Sequence, residues 1–129
     1  MFVLFNDLIG KKFEYGGRGP DIYDCYGLCM EIYKRKGIKL KEYLSTDEPS
    51  IVSDLINGQD FCVRIEKPEP FCFVLFRVHT QYTTHIGVVL PDCKRFIHVM
   101  PKKEVSIERL ESLSWKNRTK GYYKYAPGN

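Results

Sequence analysis

The stretch Asp24–Lys36, DCYGLCMEIYKRK, is the part of the sequence that predicts a helix most clearly. Leu28 and Ile32 lie four residues apart and give this helix an apolar face. Asp24 suits the N-terminal cap, and the basic residues before Gly37 match the negative C-terminal end. The pattern therefore predicts a helix with one face packed on a hydrophobic core.

Cys25 follows the predicted cap directly and so occupies the first turn of the helix. There the unpaired N–H groups and the helix dipole favour the thiolate, and they can also donate to an oxyanion. Gly27 costs ~1 kcal/mol relative to alanine inside a helix, which makes sense if another backbone or a ligand must approach closely. On the helix alone, a buried structural cysteine beside a chance glycine explains the pattern equally well.

The rest of the chain places helices first and strands afterwards. Residues 2–9, which end at Gly10, and residues 48–57 have helical patterns, whereas the segment beyond Pro70 is rich in β-forming residues. The predicted strands span residues 71–78, 85–90, 95–100, 104–107 and 121–125, with a short helix over 107–113. The first of them is too apolar to show which face is buried. This order predicts a single α+β domain over residues 1–129 with antiparallel strands.

Two histidines lie on consecutive predicted strands joined by a short loop. If Pro91-Asp92 form a two-residue turn, Leu90 pairs with Cys93, and this register places His85 opposite His98. Opposed side chains share a face with Cβ atoms ~5 Å apart, so one imidazole could orient the other as the base of a nucleophile. A three-residue loop would instead put the two histidines on opposite faces.

Each histidine also has a purely structural explanation. His98, between two aliphatic residues, could be a hydrogen-bonded core residue, and His85 could simply begin a strand. His79 lies near a strand end and is predicted to be a surface residue. One cysteine and two histidines are not specific by spacing alone, so the functional prediction needs a wider pattern.

Four segments, taken in order, resemble one known family. They are Phe13–Gly17 (FEYGG), Asp24–Leu28 (DCYGL), His85–Val88 (HIGV) and Phe96–His98 (FIH). An aromatic–Gly-Gly loop, a D-C-x-G helix start, an H-[IV]-G strand and a second histidine on the next strand resemble the NlpC-type cell-wall peptidases. This family is a branch of the papain-like superfamily, and the similarity spans residues 8–107, including GIKL at 37–40.

The resemblance implies a papain-like fold, with N-terminal helices packed on a central antiparallel sheet. It implies a cysteine endopeptidase that cleaves peptidoglycan stem peptides at the bond between γ-D-glutamate and the following diamino acid. Cys25 would be the nucleophile, His85 the general base and His98 the group that orients it. The resemblance implies no metal and no cofactor.

The neighbouring positions Asp24, Tyr26 and Phe13 are assigned by the resemblance to substrate binding. Tyr26 stands where the family usually has a serine associated with the stem peptide, and Phe13 stands where a tyrosine hydroxyl helps at the oxyanion. Pro70-Phe71-Cys72 replaces the usual Gly-Asp before the first long strand. DCYGL followed by Tyr33 resembles the phage-tail-tip members, which implies phage tail proteins as partners and delivery to the cell wall by the virion.

Composition argues against several other classes of protein. A net charge of +4 without a run of five like charges predicts no nucleic-acid partner. No segment approaches the ~20 apolar residues of a membrane span, and the N-terminus lacks a signal-peptide pattern, so we expect synthesis in the cytoplasm. Five cysteines without a Cys-x-x-Cys pair predict neither a disulfide framework nor a zinc site. The glycine-rich segment 13–20 lacks the lysine and hydroxyl of a phosphate-binding loop.

Two other functions stay open at this point. The chain could be a catalytically weak or inactive module that structures a phage tail or binds wall material, as the missing hydroxyl at Phe13 and the bulk of Tyr26 suggest. It could also apply the same chemistry to another amide or ester bond, as an amidase or acyl-transfer enzyme.

Overall fold

The computed structural model of the chain describes residues 5–42, 61–78 and 85–127. Within these ranges the α-helix is α1, Cys25–Arg35, which confirms the helix predicted there. The Asp24 carboxylate accepts a hydrogen bond from Gly27 N at 2.6 Å, and Gly37 follows the helix with a φ of 83°. No helix in the described part of the chain is both long and apolar enough to cross a membrane.

Two short strands, β1 (Lys12–Phe13) and β2 (Ile22–Tyr23), pair in parallel ahead of the helix. The main sheet consists of β3 (Cys62–Ile65), β4 (Phe73–Phe76), β5 (His85–Val89), β6 (Arg95–His98), β7 (Ser106–Arg109) and β8 (Thr119–Tyr125). Its order is β3-β8-β4-β5-β6-β7, and every neighbouring pair is antiparallel. The predicted α+β class is confirmed. The last strand, β8, returns to lie between β3 and β4 and so interrupts a simple meander.

The centre of this sheet is buried on both faces. On one face α1 packs on β5 and β6, where Ile32 joins a hydrophobic cluster with Leu75 and Val88. On the other face a second cluster consists of Cys72, Val74, Phe76, Val89, Phe96, Leu110 and Trp115. Because alternate residues of β4 enter different clusters, the strand must be apolar throughout, which is why its sequence does not indicate a single inner face.

Some of the predicted elements differ from the structure. The helix predicted over residues 107–113 is wrong, because Ser106–Arg109 pairs with β6 along its whole length and turns follow it. The described residues of the predicted helix over 2–9 form turns in place of an α-helix, although Gly10 ends them with a φ of 91°. The sequence pattern does not predict β3, a half-exposed strand that, among the described strands, pairs with β8 alone. The predicted helix over residues 48–57 and His79 lie outside the described residues.

The loop between β5 and β6 is longer than the two-residue turn that was predicted from the sequence. Leu90 N donates to Arg95 O at 2.8 Å, so the loop comprises residues 91–94, in agreement with the strand register. Asp92 stabilises the longer loop, because its Oδ1 accepts hydrogen bonds from two following backbone N–H groups at 2.9 and 3.1 Å. Pro91-Asp92 do lie at the centre of a turn, since Cys93 N donates to Leu90 O at 2.8 Å, but the strand register that was predicted from this turn is wrong, because Leu90 pairs with Arg95.

Candidate active site

Cys25 is the first residue of α1 and is only 1% exposed. At this position the helix dipole favours a thiolate over a thiol. Cys25 and Ile86 belong to the same hydrophobic cluster, on the face of the sheet that α1 covers. His85, at the start of β5, pairs with Phe76 and so lies on the face of the second cluster. The cysteine predicted as nucleophile thus lies at the helix start, and its helix packs against the strand that begins with the histidine predicted as base.

Gly27 is explained by the close approach of the glycine-rich loop. A Cβ at this position would lie 2.1 Å from the carbonyl oxygen of Gly17, far inside van der Waals contact. The same oxygen accepts a hydrogen bond from Asp24 N at 3.1 Å, so the loop lies directly on the first turn of α1. This confirms the prediction that another backbone approaches the helix at Gly27.

Asp24 is fully buried and joins the loop to the helix. Its carboxylate accepts hydrogen bonds from Gly16 N at 3.1 Å and from Arg18 Nη1 at 2.8 Å, besides the one from Gly27 N. Arg18 in turn donates to the Glu42 carboxylate at 2.9 to 3.1 Å. Burial acts to lower the pKa of Arg18, but the hydrogen bonds to Glu42 and Asp24 outweigh burial and raise it. Because its oxygens are used inside the protein, Asp24 organises the loop and offers a substrate no surface in this structure.

The other two positions assigned to substrate binding differ in exposure. Tyr26 is fully buried, and its hydroxyl donates to the carbonyl oxygen of Lys41 at 2.6 Å. Its side chain therefore offers a substrate no surface in this structure either. Phe13 is half-buried in β1, and its ring lies edge-on to that of Tyr15 with centroids 4.9 Å apart. Phe13 can contribute an apolar wall to a site but no hydrogen bond.

The observed register still places the two histidines on one face of the sheet. His85 is not directly opposite His98, as was predicted, because the longer loop shifts the pairing by two residues and brings Gly87 opposite His98. An even shift preserves the alternation of side chains, so His85 becomes the diagonal neighbour of His98. A Cβ on Gly87 would lie 3.3 Å from His98 Cβ, so the glycine leaves room for the two rings to meet.

The two imidazoles form a buried hydrogen-bonded pair. His85 Nε2 lies 2.8 Å from His98 Nδ1, and the residues are 1% and 3% exposed. Burial lowers the pKa of His85 well below its usual value, and the neighbouring His98 lowers it further. Burial also lowers the pKa of His98, although a hydrogen bond to Glu108 and its charge offset part of this effect. Both rings are therefore neutral near pH ~7, the form in which a histidine can accept a proton.

Three aromatic side chains of the second cluster, Phe76, Phe96 and Trp115, form an aromatic wall around this pair. Phe76 stacks on His85 with centroids 5.7 Å apart and an interplanar angle of 29°. Phe96 and Trp115 contact His98 with centroid distances of 4.7 and 4.9 Å, and the indole lies edge-on at 86°. Such contacts hold the planes of the imidazoles and exclude water from them. The aromatic wall is thus the source of the desolvation that lowers both pKa values.

Glu108 extends the histidine pair, and the sequence patterns did not identify it. Its Oε2 lies 2.6 Å from His98 Nε2, and its Oε1 accepts a hydrogen bond from Trp115 Nε1 at 2.8 Å. Because Ser106 pairs with His98 across β6 and β7, Glu108 lies on the same face two residues further along. Because a helix was predicted over residues 107–113, the sequence did not indicate that Glu108 shares a face with His98. A strand over β7, whose side chains alternate with a period of two, would have indicated it.

The remaining chemistry of the site is limited by burial. None of the five cysteines, which all lie within the described residues, forms a disulfide, and burial raises the pKa of Cys72 to about 11 and that of Cys29 further still. Neither is therefore a thiolate near neutral pH. Within residues 5–42, 61–78 and 85–127, no group of three His, Cys, Asp or Glu side chains could hold a metal ion.

A helix that begins with a cysteine and packs on an antiparallel sheet bearing a histidine pair defines a papain-like α+β fold. Within this class, the chain belongs to the NlpC/P60 family, whose sequence model matches residues 10–124. The family and fold predicted from the sequence are confirmed, whereas membership of the phage-tail branch stays a prediction. No curated protein sequence matches the chain.

Several solved structures of this family have the same fold. NlpC2 from Trichomonas vaginalis is 21% identical with a TM-score of 0.71, and the match covers 95% of this chain and 45% of that protein. An NlpC/P60 family protein from Bacillus cereus ATCC 10987 is 19% identical with a TM-score of 0.69, with coverages of 93% and 37%. The NlpC/p60 domain of the peptidoglycan hydrolase SagA is 16% identical with a TM-score of 0.58, with coverages of 89% and 87%. The chain thus spans less than half of the first two proteins.

Proposed function

We propose that the chain is a cysteine peptidase that hydrolyses peptidoglycan stem peptides at the amide bond between γ-D-glutamate and the following diamino acid. The observation that carries this proposal is the pair of neutral, buried imidazoles of His85 and His98, 2.8 Å apart, on the sheet against which the helix of Cys25 packs. Membership of the NlpC/P60 family supports it, and one structure of similar fold is that of a peptidoglycan hydrolase.

In the proposed reaction, His85 takes the proton of the Cys25 thiol as the sulfur attacks the amide carbonyl carbon. The dipole of α1 stabilises negative charge on the sulfur and on the oxyanion that forms. As the C–N bond breaks, the proton passes from His85 to the departing amine, and the acyl group stays on Cys25 as a thioester. Water then attacks the thioester carbonyl and gives up one proton to His85; as the C–S bond breaks, His85 returns this proton to the sulfur, and the carboxylic acid that leaves ionises in solvent. His98 orients the imidazole of His85 throughout.

The test uses a synthetic peptide that contains the γ-D-glutamyl–diaminopimelate bond. Cys25→Ala is expected to abolish its hydrolysis while the circular dichroism spectrum is retained. Cys93→Ser is the matched control, because Cys93 is a half-exposed thiol in the loop at 91–94. Hydrolysis that persists in Cys25→Ala would refute the proposal.

The bond that is cleaved needs a separate experiment. Purified peptidoglycan is digested with the wild-type chain, and mass spectrometry identifies the released fragments. Fragments that end in γ-D-glutamate support the proposed bond. If the fragments result from cleavage at another bond, Cys25 remains the proposed nucleophile, but the chain is assigned to an amidase or acyl-transfer reaction at that bond.

A second candidate, a catalytically weak module that binds wall material or structures a phage tail, is favoured by two observations. Cys25 and His85 are each only 1% exposed, and Phe13 lacks the hydroxyl that the family usually has there. A Cys25 thiol that reacts with iodoacetamide no faster than free cysteine at neutral pH would support this module. A Phe13→Tyr variant with raised turnover would instead support a peptidase that lacks one oxyanion donor.

A further inference from the structure

We propose that Glu108, held by Trp115, is a positioning residue that selects the tautomer of both histidines and leaves His85 Nδ1 unprotonated. The contacts form one chain: Trp115 Nε1 to Glu108 Oε1 at 2.8 Å, Glu108 Oε2 to His98 Nε2 at 2.6 Å, and His98 Nδ1 to His85 Nε2 at 2.8 Å. This inference rests on the proposed function, because it makes His85 Nδ1 the atom that takes the thiol proton of Cys25.

The direction of the chain follows from the groups at its end. A carboxylate has no proton to donate, so the contact with Glu108 requires the hydrogen on His98 Nε2. A neutral imidazole carries one N–H, which makes His98 Nδ1 an acceptor. The contact between the rings then requires the hydrogen on His85 Nε2 and leaves His85 Nδ1 as a base. The lowered pKa values of both histidines agree with neutral rings.

Trp115 contributes a donor that cannot reverse. The indole Nε1 only donates, and the residue is 5% exposed within the aromatic wall, so its N–H keeps pointing at Glu108 Oε1. With a carboxylate at position 108 both oxygens accept, and the two contacts agree with each other. With a carboxamide at the same position, only one of the two contacts can keep its direction.

The Glu108→Gln variant therefore tests the inference sharply. Its carbonyl oxygen must accept from the Trp115 N–H, which turns its NH2 group towards His98 Nε2. That nitrogen then becomes an acceptor, His98 Nδ1 becomes the donor, and the hydrogen of His85 moves to Nδ1. The base nitrogen is thus lost although the substitution only replaces one carboxylate oxygen with an NH2 group.

The direct readout is the histidine tautomer, measured by two-bond 1H–15N correlation spectra of 15N-histidine-labelled protein at about pH 7.5, above the ordinary histidine pKa. In the wild type, His85 and His98 are both expected to be protonated on Nε2. In Glu108→Gln both are expected to be protonated on Nδ1. A His79→Gln variant removes the signals of the third histidine. A wild-type His85 protonated on Nδ1 would overturn the inference.

The kinetic readout is turnover of the γ-D-glutamyl peptide. Glu108→Gln is expected to lower kcat by about 100-fold, the lower end of what a positioned base contributes, with a much smaller change in KM. Adding Trp115→Phe removes the fixed donor, so the carboxamide can rotate and present its oxygen to His98 Nε2. The double variant is therefore expected to have both histidines protonated on Nε2 again and a kcat about tenfold higher than that of Glu108→Gln alone. A purely structural role for Glu108 predicts the opposite, because each substitution would then add damage. A double variant that stays on Nδ1 would refute the role of Trp115.

Glu111→Gln is the matched control, since Glu111 is an exposed glutamate three residues further along and should change neither readout. The two readouts also separate this inference from the proposed function. If the histidine tautomers are as expected but the protein has no peptidase activity, the proposed function is refuted and the role of Glu108 in selecting the tautomers is supported. If the wild type is an active peptidase but Glu108→Gln changes neither the tautomers nor kcat, the proposed function is supported and the role of Glu108 is refuted.

Discussion

Replacing Gly27 with alanine is expected to destabilise the protein, although alanine is the better helix former. The exchange alone would stabilise a helix interior by about 1 kcal/mol. The new Cβ, however, would lie 2.1 Å from the Gly17 carbonyl oxygen and 3.1 Å from Asp24 Oδ1. Because ordinary contact begins at roughly 3.4 Å, the loop or the helix start would have to move by about 1 Å.

Such a movement is costly because both sides of the contact are anchored. The loop is held by the hydrogen bond from Asp24 N to Gly17 O and by the buried Asp24 carboxylate. Overpacking against a well-packed site costs typically 1–3 kcal/mol, and the backbone contact at Gly17 favours the upper end of this range. A loss of about 3 kcal/mol against a gain of about 1 leaves a net destabilisation of about 2 kcal/mol.

Urea unfolding, followed by circular dichroism, measures this difference as a lower midpoint with an unchanged slope. Gly37→Ala is the control, because a Cβ there meets nothing within 4 Å and the φ of 83° alone is unfavourable. We expect that control to lose about 1 kcal/mol from backbone strain. A Gly27→Ala variant as stable as the wild type, or more so, would refute the close approach of the loop as the reason for this glycine.

Acid is expected to destabilise the fold, because the lowered pKa values of His85 and His98 mean that the unfolded chain binds their protons more readily. In urea titrations the contribution of the two histidines to the free energy of unfolding should be constant above pH about 6.5. Below that pH it should fall by up to about 1.4 kcal/mol per pH unit for each histidine. A free energy of unfolding that rises from neutral pH towards pH about 5 would contradict this prediction. Iodoacetamide at about pH 8 should leave Cys29 and Cys72 unlabelled in native protein and label both in urea, as mapped by peptide mass spectrometry. Rapid labelling of either thiol in the native state would show that it is not buried. Gly87→Ala, whose Cβ would lie 3.3 Å from His98 Cβ, should lower stability by about 1–2 kcal/mol and reduce kcat by moving the second ring, and an unaffected kcat would show that the rings tolerate the added methyl group.

The helix was predictable because its signals are local. Asp24 caps a nearby backbone N–H group, and Gly37 ends the helix with a backbone conformation that glycine adopts freely. A close approach at Gly27 was also predictable, because glycine destabilises a helix interior and its presence there indicates that a side chain would not fit. The identity of the approaching backbone was not visible, since the loop at Gly17 reaches it only through folding.

The histidine pair shows how a partly wrong prediction can keep the correct geometry. Pro91-Asp92 do form a turn, but the predicted register was wrong, because the strands are joined by a four-residue loop, 91–94, in which Asp92 accepts two backbone hydrogen bonds. The error shifted the register by two residues, and side chains on a strand alternate with a period of two. His85 and His98 therefore share a face in both registers, although they are diagonal and not directly opposite.

By itself, the sequence determined the start of α1, the placement of Cys25 in its first turn and the family pattern, because each depends on residues close together in the chain. Only the tertiary structure decided that Glu108 and Trp115 complete the contacts of His98, and that Tyr26 and Asp24 are buried. These features depend on pairing between distant strands and on a core that closes over polar groups. Local patterns do not encode that pairing, since it is selected by the packing of both faces of the sheet at once.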